Sequence, residues 1–139
     1  MDGVILDLDP QSPIPLYLQI VEQVRRLLAL GALKPGDRFL TVRELGVKAR
    51  VNRNTAARAV AEMERDGLVR TRVGQGTFIA ETASTMAPKE REAALDAAIE
   101  TLLVEAHTLG VPPEELGWRV QRKLEHFARA RRDREKESS

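Results

Sequence analysis

Residues 41–60 read TVRELGVKARVNRNTAARAV, and the fold turns on them. Thr41 and Glu44 have the spacing of a capping box, in which a hydroxyl and a carboxylate each satisfy a backbone N–H at a helix start. Leu40 and Leu45 flank the box at hydrophobic-staple spacing. A helix of about two turns is predicted to begin there. The residues KARV break it, and Asn52 is placed to cap a second helix that runs to Asp66 and stops at Gly67. On that second helix Ala56, Val60 and Met63 form an apolar stripe, with Arg53, Asn54, Ala57 and Arg58 away from it or at its margin.

Immediately downstream, RTRVGQGTFIA (Arg70–Ala80) changes the period. LVRTRV and TFIA are β-prone runs, and VGQG between them tolerates positive φ, so a β-hairpin is predicted. A dinucleotide fingerprint would need a third glycine where Ile79 stands and a helix after it, and a Walker-type loop would need Gly-Lys-Ser/Thr. Upstream, Pro15 suits the first turn of a helix carrying Ile20, Val21, Val24, Leu27 and Leu28, with Gly31 at its C-terminal cap. LKPGDR is a turn on Pro35-Gly36, and residues 1–12 read as an extended arm. The order is helix, helix, turn, helix, hairpin: a winged helix-turn-helix over residues 1–80.

Residues 81–88 are small and polar and read as a linker. In residues 89–134, Leu95, Ile99, Leu102, Leu103, Ala106 and Leu109 form one helical stripe, and Leu116, Val120, Leu124 and Phe127 another after VPPEEL. Two helices of this size cannot bury both stripes alone. They either pack back on the winged helix or pair with a second copy, and Trp118, off the main stripe of its helix, favours the homodimer. Residues 135–139 are charged and are expected to fray. The fold class is mostly α with a small β-hairpin, a winged helix-turn-helix followed by two C-terminal dimerisation helices.

Charge locates the chemistry. The chain carries +1 overall, divided as −2 over residues 1–33, +5 over 34–80 and −2 over 81–139. Basic charge concentrated around the helix pair and hairpin points to a polyanionic partner. A recognition helix docked in a major groove touches base edges with its N-terminal residues. Here those are Asn52, Arg53, Asn54, Thr55 and Arg58, with arginine suited to guanine, asparagine to adenine and threonine to bases or phosphates. The competing reading is a helical hairpin with an arginine-rich solvated face, which accounts for the charge but not for this polar set at one helix start.

Enzyme chemistry finds no support. His107 and His126 sit on different predicted helices without an H-E-x-x-H pattern, and Glu114-Glu115 read as first-turn acids of a helix. With no cysteine, disulfides and Cys-based zinc sites are excluded, and no cofactor or metal is expected. MDGVILDLDP has acids where a signal peptide would carry basic residues, and no apolar run is long enough for a membrane span. A soluble, cytoplasmic chain is expected.

The residues resemble the GntR family of bacterial transcription regulators over Pro15–Ala80. PLYLQIVEQVRRLLALGALKPGDRF is similar to the family's opening helix and Gly-x-Leu-x-Pro-Gly turn, and LTVREL resembles its Leu-Pro-Ser-x-Arg-x-Leu. RVNRNTAARAVAEMERDGLVRTRVGQGTFIA resembles its recognition helix and wing, and the short tail resembles the YtrA-like subfamily. The resemblance implies a homodimeric regulator, most often a repressor, on an inverted-repeat operator in double-stranded DNA. It implies DNA contacts from Thr41, Arg43, Asn52, Arg53, Asn54, Thr55, Arg58, Arg70 and Arg72, with the wing tip Gly74, Gln75 and Gly76 approaching the minor groove. Leu40-Thr41 departs from the usual Pro-Ser, Gly46 from a frequent Ala, and Gln75 from a common basic wing residue. A winged-helix protein-interaction adaptor is the alternative. A small-molecule effector is compatible with the chain, but no residue identifies one.

Overall fold

The computed structural model of the chain describes residues 6–81 and 87–138, without the side chain of Ser138. Residues 1–5 of the expected arm, most of the expected linker and Ser139 lie outside the described residues. The elements in order are α1 (Leu16–Ala29), β1 (Arg38–Phe39), α2 (Val42–Ala49), α3 (Arg53–Arg65), β2 (Val69–Arg72), β3 (Gly76–Ile79), α4 (Pro88–Thr108) and α5 (Pro113–Ser138).

Each boundary has a local cause. Thr41 and Glu44 form the predicted capping box at the start of α2, and Leu40 and Leu45 are both buried behind it. The α2 helix ends at Arg50, which takes the left-handed conformation (φ 56°, ψ 46°), and Asn52 caps α3 two residues later. The turn is tight: the Val51 N–H donates to Gly46 O at 3.0 Å, so the second helix starts directly under the first. α1, α3 and α4 each end at a glycine of positive φ, Gly31, Gly67 and Gly110. α5 continues through residues 135–138, and after Gly117 in its first turns it meets no further glycine or proline.

The core lies among α1, α2, α3 and the sheet. Ile20, Val21 and Val24 of α1 meet Leu45, Ala56, Ala59, Val60 and Met63, closed below by Phe39, Val69 and Ile79. Burying a side chain of the size of Phe39, Leu45 or Met63 contributes about 1.5–3 kcal/mol each. The N-terminal segment joins this body through two glutamines one helical turn apart. Gln19 accepts from the Asp9 N–H and donates to its carbonyl, and Gln23 does the same with Asp7. Leu6 and Leu8, which alternate with these two aspartates, pack against the core.

The hairpin is part of a larger sheet than expected. β1 pairs antiparallel with β3, giving a three-stranded order β1-β3-β2. Two residues are too few to announce a strand by alternation, so the LKPGDR turn concealed it. α4 and α5 follow the winged body as two long helices joined by a short turn at Gly110; Ala106 is the buried residue of α4, and the apolar stripes of both helices remain largely exposed.

Candidate nucleic-acid interface

The α3 start is built by its cap. The Asn52 carboxamide oxygen accepts from the Thr55 N–H at 2.8 Å, which fixes that oxygen at the helix end. Arg53 and Asn54 follow with both side chains exposed, and Thr55 is half-buried. Asn54, Arg58, Ala61 and Arg65 then recur at helical spacing as the exposed ridge of α3. Arg65 is drawn into ion pairs with Glu62 and Asp66. Arg58 leans towards α1, where its guanidinium carbon lies 4.0 Å from the centre of the Tyr17 ring.

Arg43, in the first turn of α2, is exposed, and Thr41 is engaged in the capping box. The Glu44 N–H donates to the Thr41 hydroxyl at 3.2 Å, and the Thr41 N–H donates to the Glu44 carboxylate at 3.1 Å. Hydrogen bonding to the carboxylate, from the Thr41 backbone N–H first and then from the Thr41 hydroxyl, holds the Glu44 carboxyl below the usual range, with the Arg38 charge a smaller influence.

In the wing, the tip is the three residues Val73-Gly74-Gln75, closed by the Gln75 N–H donating to Arg72 O at 2.9 Å. Register places Arg70 opposite Phe78, Arg72 opposite Gly76, and Arg38 of β1 opposite Phe78 on its other side. Residues directly opposite share a sheet face, so Arg38, Arg70 and Arg72 surround Phe78 on one face. The Arg72 guanidinium carbon stands 4.7 Å from the Phe78 ring centre. Gly76 has φ +114°, and a Cβ there would come within 3.4 Å of Arg38 Nε, so glycine leaves room for that arginine to cross the hairpin. On the other face the Thr71 hydroxyl donates to the Glu64 carboxylate, tying wing to α3.

Two residues of this surface escaped the sequence reading. Arg38 joins the wing arginines only because β1 pairs with β3, and its one sequence signal was membership of the basic middle segment. Val73, at the hairpin tip, is 97% exposed; an apolar residue beside Gly-x-Gly was its signal. Between α3 and the wing runs a cleft of about 470 Å³, floored by the small side chains Ala57 and Ala61 and rimmed by Thr41, Glu64 and Arg72.

The C-terminal residues proposed for pairing are laid out on two helices. Leu95, Ile99, Leu102, Leu103 and Leu109 of the α4 segment are exposed, as are Trp118, Val120 and Leu124 of α5. Leu116 and Phe127 are half-buried. Arg122 covers the Trp118 ring at 4.8 Å. A second cleft, of about 490 Å³, separates the end of α5 from the body and is lined by Leu28, Leu33, Leu68 and Ile79 with Arg25 and Arg131. Among the described residues no helix is long and apolar enough to cross a membrane.

A helix-turn-helix followed by a basic antiparallel wing defines a winged helix-turn-helix protein. Bacterial regulatory proteins of the gntR family match residues 16–79, from the start of α1 to the end of β3. The HTH-type transcriptional repressor YtrA of Bacillus subtilis (strain 168) is 37% identical over 112 residues, which cover 81% of this chain and 86% of the relative. Among solved structures, a transcriptional antiterminator from Listeria monocytogenes EGD-e is similar with a TM-score of 0.76 and 26% identity, over 90% of this chain and 93% of that one. A GntR family transcriptional regulator from Listeria monocytogenes is similar with a TM-score of 0.61 and 31% identity, over 83% and 98%. The chain belongs to the GntR family of bacterial transcription regulators, and YtrA is a homologue of it.

Proposed function

We propose that the protein is a cytoplasmic repressor that binds an inverted-repeat operator in double-stranded DNA as a homodimer. The observation that carries the reading is the capped start of α3, where Arg53 and Asn54 stand exposed beyond Asn52 while the apolar stripe behind them is buried. In this reading Arg53 and Asn54 reach base edges, and Arg43 and Thr55 make phosphate or mixed contacts. Arg38, Arg70 and Arg72 face phosphates, and the wing tip Gly74-Gln75-Gly76 lies along the minor groove. Two recognition helices would enter successive major grooves about 34 Å apart.

Pairing is supported by the apolar stripes of α4 and α5. The exposed leucines, isoleucine, valines and tryptophan on these two long helices are apolar area of the kind that a second copy covers. The domain division follows the same logic: a winged helix to residue 80, a linker, and a two-helix pairing region. The repressor assignment rests on the name of the relative YtrA. A small-molecule effector would find room in the cleft between α5 and the body.

The test is fluorescence anisotropy with DNA from upstream of the protein's own gene, against random DNA, alongside sedimentation to establish stoichiometry. Tight, sequence-selective binding by a dimer supports the reading. Weak binding, equal on both DNAs, by a monomeric protein supports an interaction adaptor instead.

A further inference from the structure

We propose that Tyr17 of α1 is a positioning residue for DNA binding, and that it sets Arg58 of α3 to contact the phosphate backbone rather than a base edge. The inference rests on the DNA-binding reading above. Arg58 belongs to the exposed ridge of α3, yet its guanidinium carbon lies 4.0 Å over the Tyr17 ring, on the side where α3 packs against α1. A helix lying in a major groove has base edges ahead of it and phosphates along its flanks. A guanidinium drawn to the flank therefore meets phosphate.

The geometry leaves it able to do so. Stacking occupies one π face of the planar guanidinium, whereas its N–H donors point outwards in the plane, so the same group can lie on an aromatic ring and grip a phosphate by its edge. Among the described residues no carboxylate is paired with Arg58, whereas neighbouring arginines are spoken for: Arg65 by Glu62 and Asp66, and Arg25 by Asp66. Tyr17 thus holds in place a cation that keeps its full charge for the nucleic acid, and it orders a long side chain before binding. α1, which carries no residue of the helix-turn-helix, becomes part of the interface.

A random-sequence duplex of about 30 base pairs is a sufficient probe, because phosphate contacts are independent of sequence. Arg58→Ala should weaken binding to it several-fold and lower the slope of log K against log salt by about 1. Tyr17→Leu should weaken it less, and Tyr17→Phe, which keeps the ring, should behave as wild type. In the Tyr17→Leu background, Arg58→Ala should cost markedly less than in wild type, because the arginine there is no longer held. Thermal melts run beside the titrations identify any variant that fails to fold; Tyr17→Phe and Arg58→Ala alone then carry the test through the ring requirement and the slope. An unchanged slope for Arg58→Ala, equal costs in both backgrounds, or loss of binding by Tyr17→Phe overturns the inference while leaving the DNA-binding reading intact. Absence of any duplex binding by the wild-type protein overturns both.

Discussion

Arg131, close to the end of α5, donates from Nη1 to the carbonyl oxygen of Ala29 at 3.1 Å, joining residues 102 apart in the chain. Ala29 is the last residue of α1, where helical carbonyls lack intrahelical partners and attract cations. Gly31, just beyond, lies against the Arg131 backbone, within ordinary contact distance for an added Cβ. α5 thus touches the winged body at the far end of its first helix. Arg131→Ala should cost about 1 kcal/mol or less, since the bond is solvent-exposed. Hydrogen exchange should show faster opening of the last turns of α5 with the body unchanged; uniform loss of protection across α2 and α3 would contradict this placement.

Glu44 makes part of the stability pH-dependent. Its carboxyl is held below the usual range by the Thr41 N–H, the Thr41 hydroxyl and Arg38, so the ionised form is favoured in the folded state. Its contribution is fully present above the unfolded-state pKa and is lost as pH falls through the lower folded-state value. Glu44→Gln should therefore be less stable than wild type near neutrality, with the gap narrowing as pH drops from about 6 to about 3. Melting temperatures of both proteins across that range provide the check, and a gap that widens on acidification would contradict the assignment.

Gly46→Ala should stabilise the protein by about 0.5–1 kcal/mol, because alanine is the better residue inside a helix. A Cβ at Gly46 would stand 3.4 Å from Val51 O and 3.8 Å from Ala56 Cβ, at the edge of ordinary contact. Urea unfolding should give a higher midpoint with unchanged slope. A lower midpoint would mean that the added methyl forces α2 and α3 apart.

Arg53 and Arg70 separate base reading from phosphate contact. Arg53→Ala should lose about 1–3 kcal/mol on the operator and blur sequence preference. Arg70→Ala should weaken operator and random DNA alike and reduce the salt slope by about 1. Anisotropy on both DNAs at several salt concentrations distinguishes them. Equal losses on both DNAs for Arg53→Ala would remove it from the base-reading set, and an unchanged slope would remove Arg70 from the phosphate set.

Much of this protein was determined by the sequence alone, because helix starts and stops are local events. The Thr41–Glu44 box, the Asn52 cap and Gly67 each act within four residues, and Val-Gly-Gln-Gly closes a hairpin between adjacent runs. The basic middle segment and the polar start of α3 could be read from composition and spacing in the same way.

What only the tertiary structure decided involves groups distant in the chain. Arg38 reached the wing through a two-residue strand whose partner lies about forty residues on, and alternation cannot reveal so short a strand. Tyr17 reached Arg58 because α1 packs across α3, and Gln19 and Gln23 found the backbone of Asp7 and Asp9 across a bend. Asn52 and Thr41 read both as caps and as contacts; in the structure an oxygen of each accepts a hydrogen bond at a helix start. Local sequence sets backbone conformation through sterics and short hydrogen bonds, whereas the neighbours of an exposed side chain are chosen by the packing of whole elements.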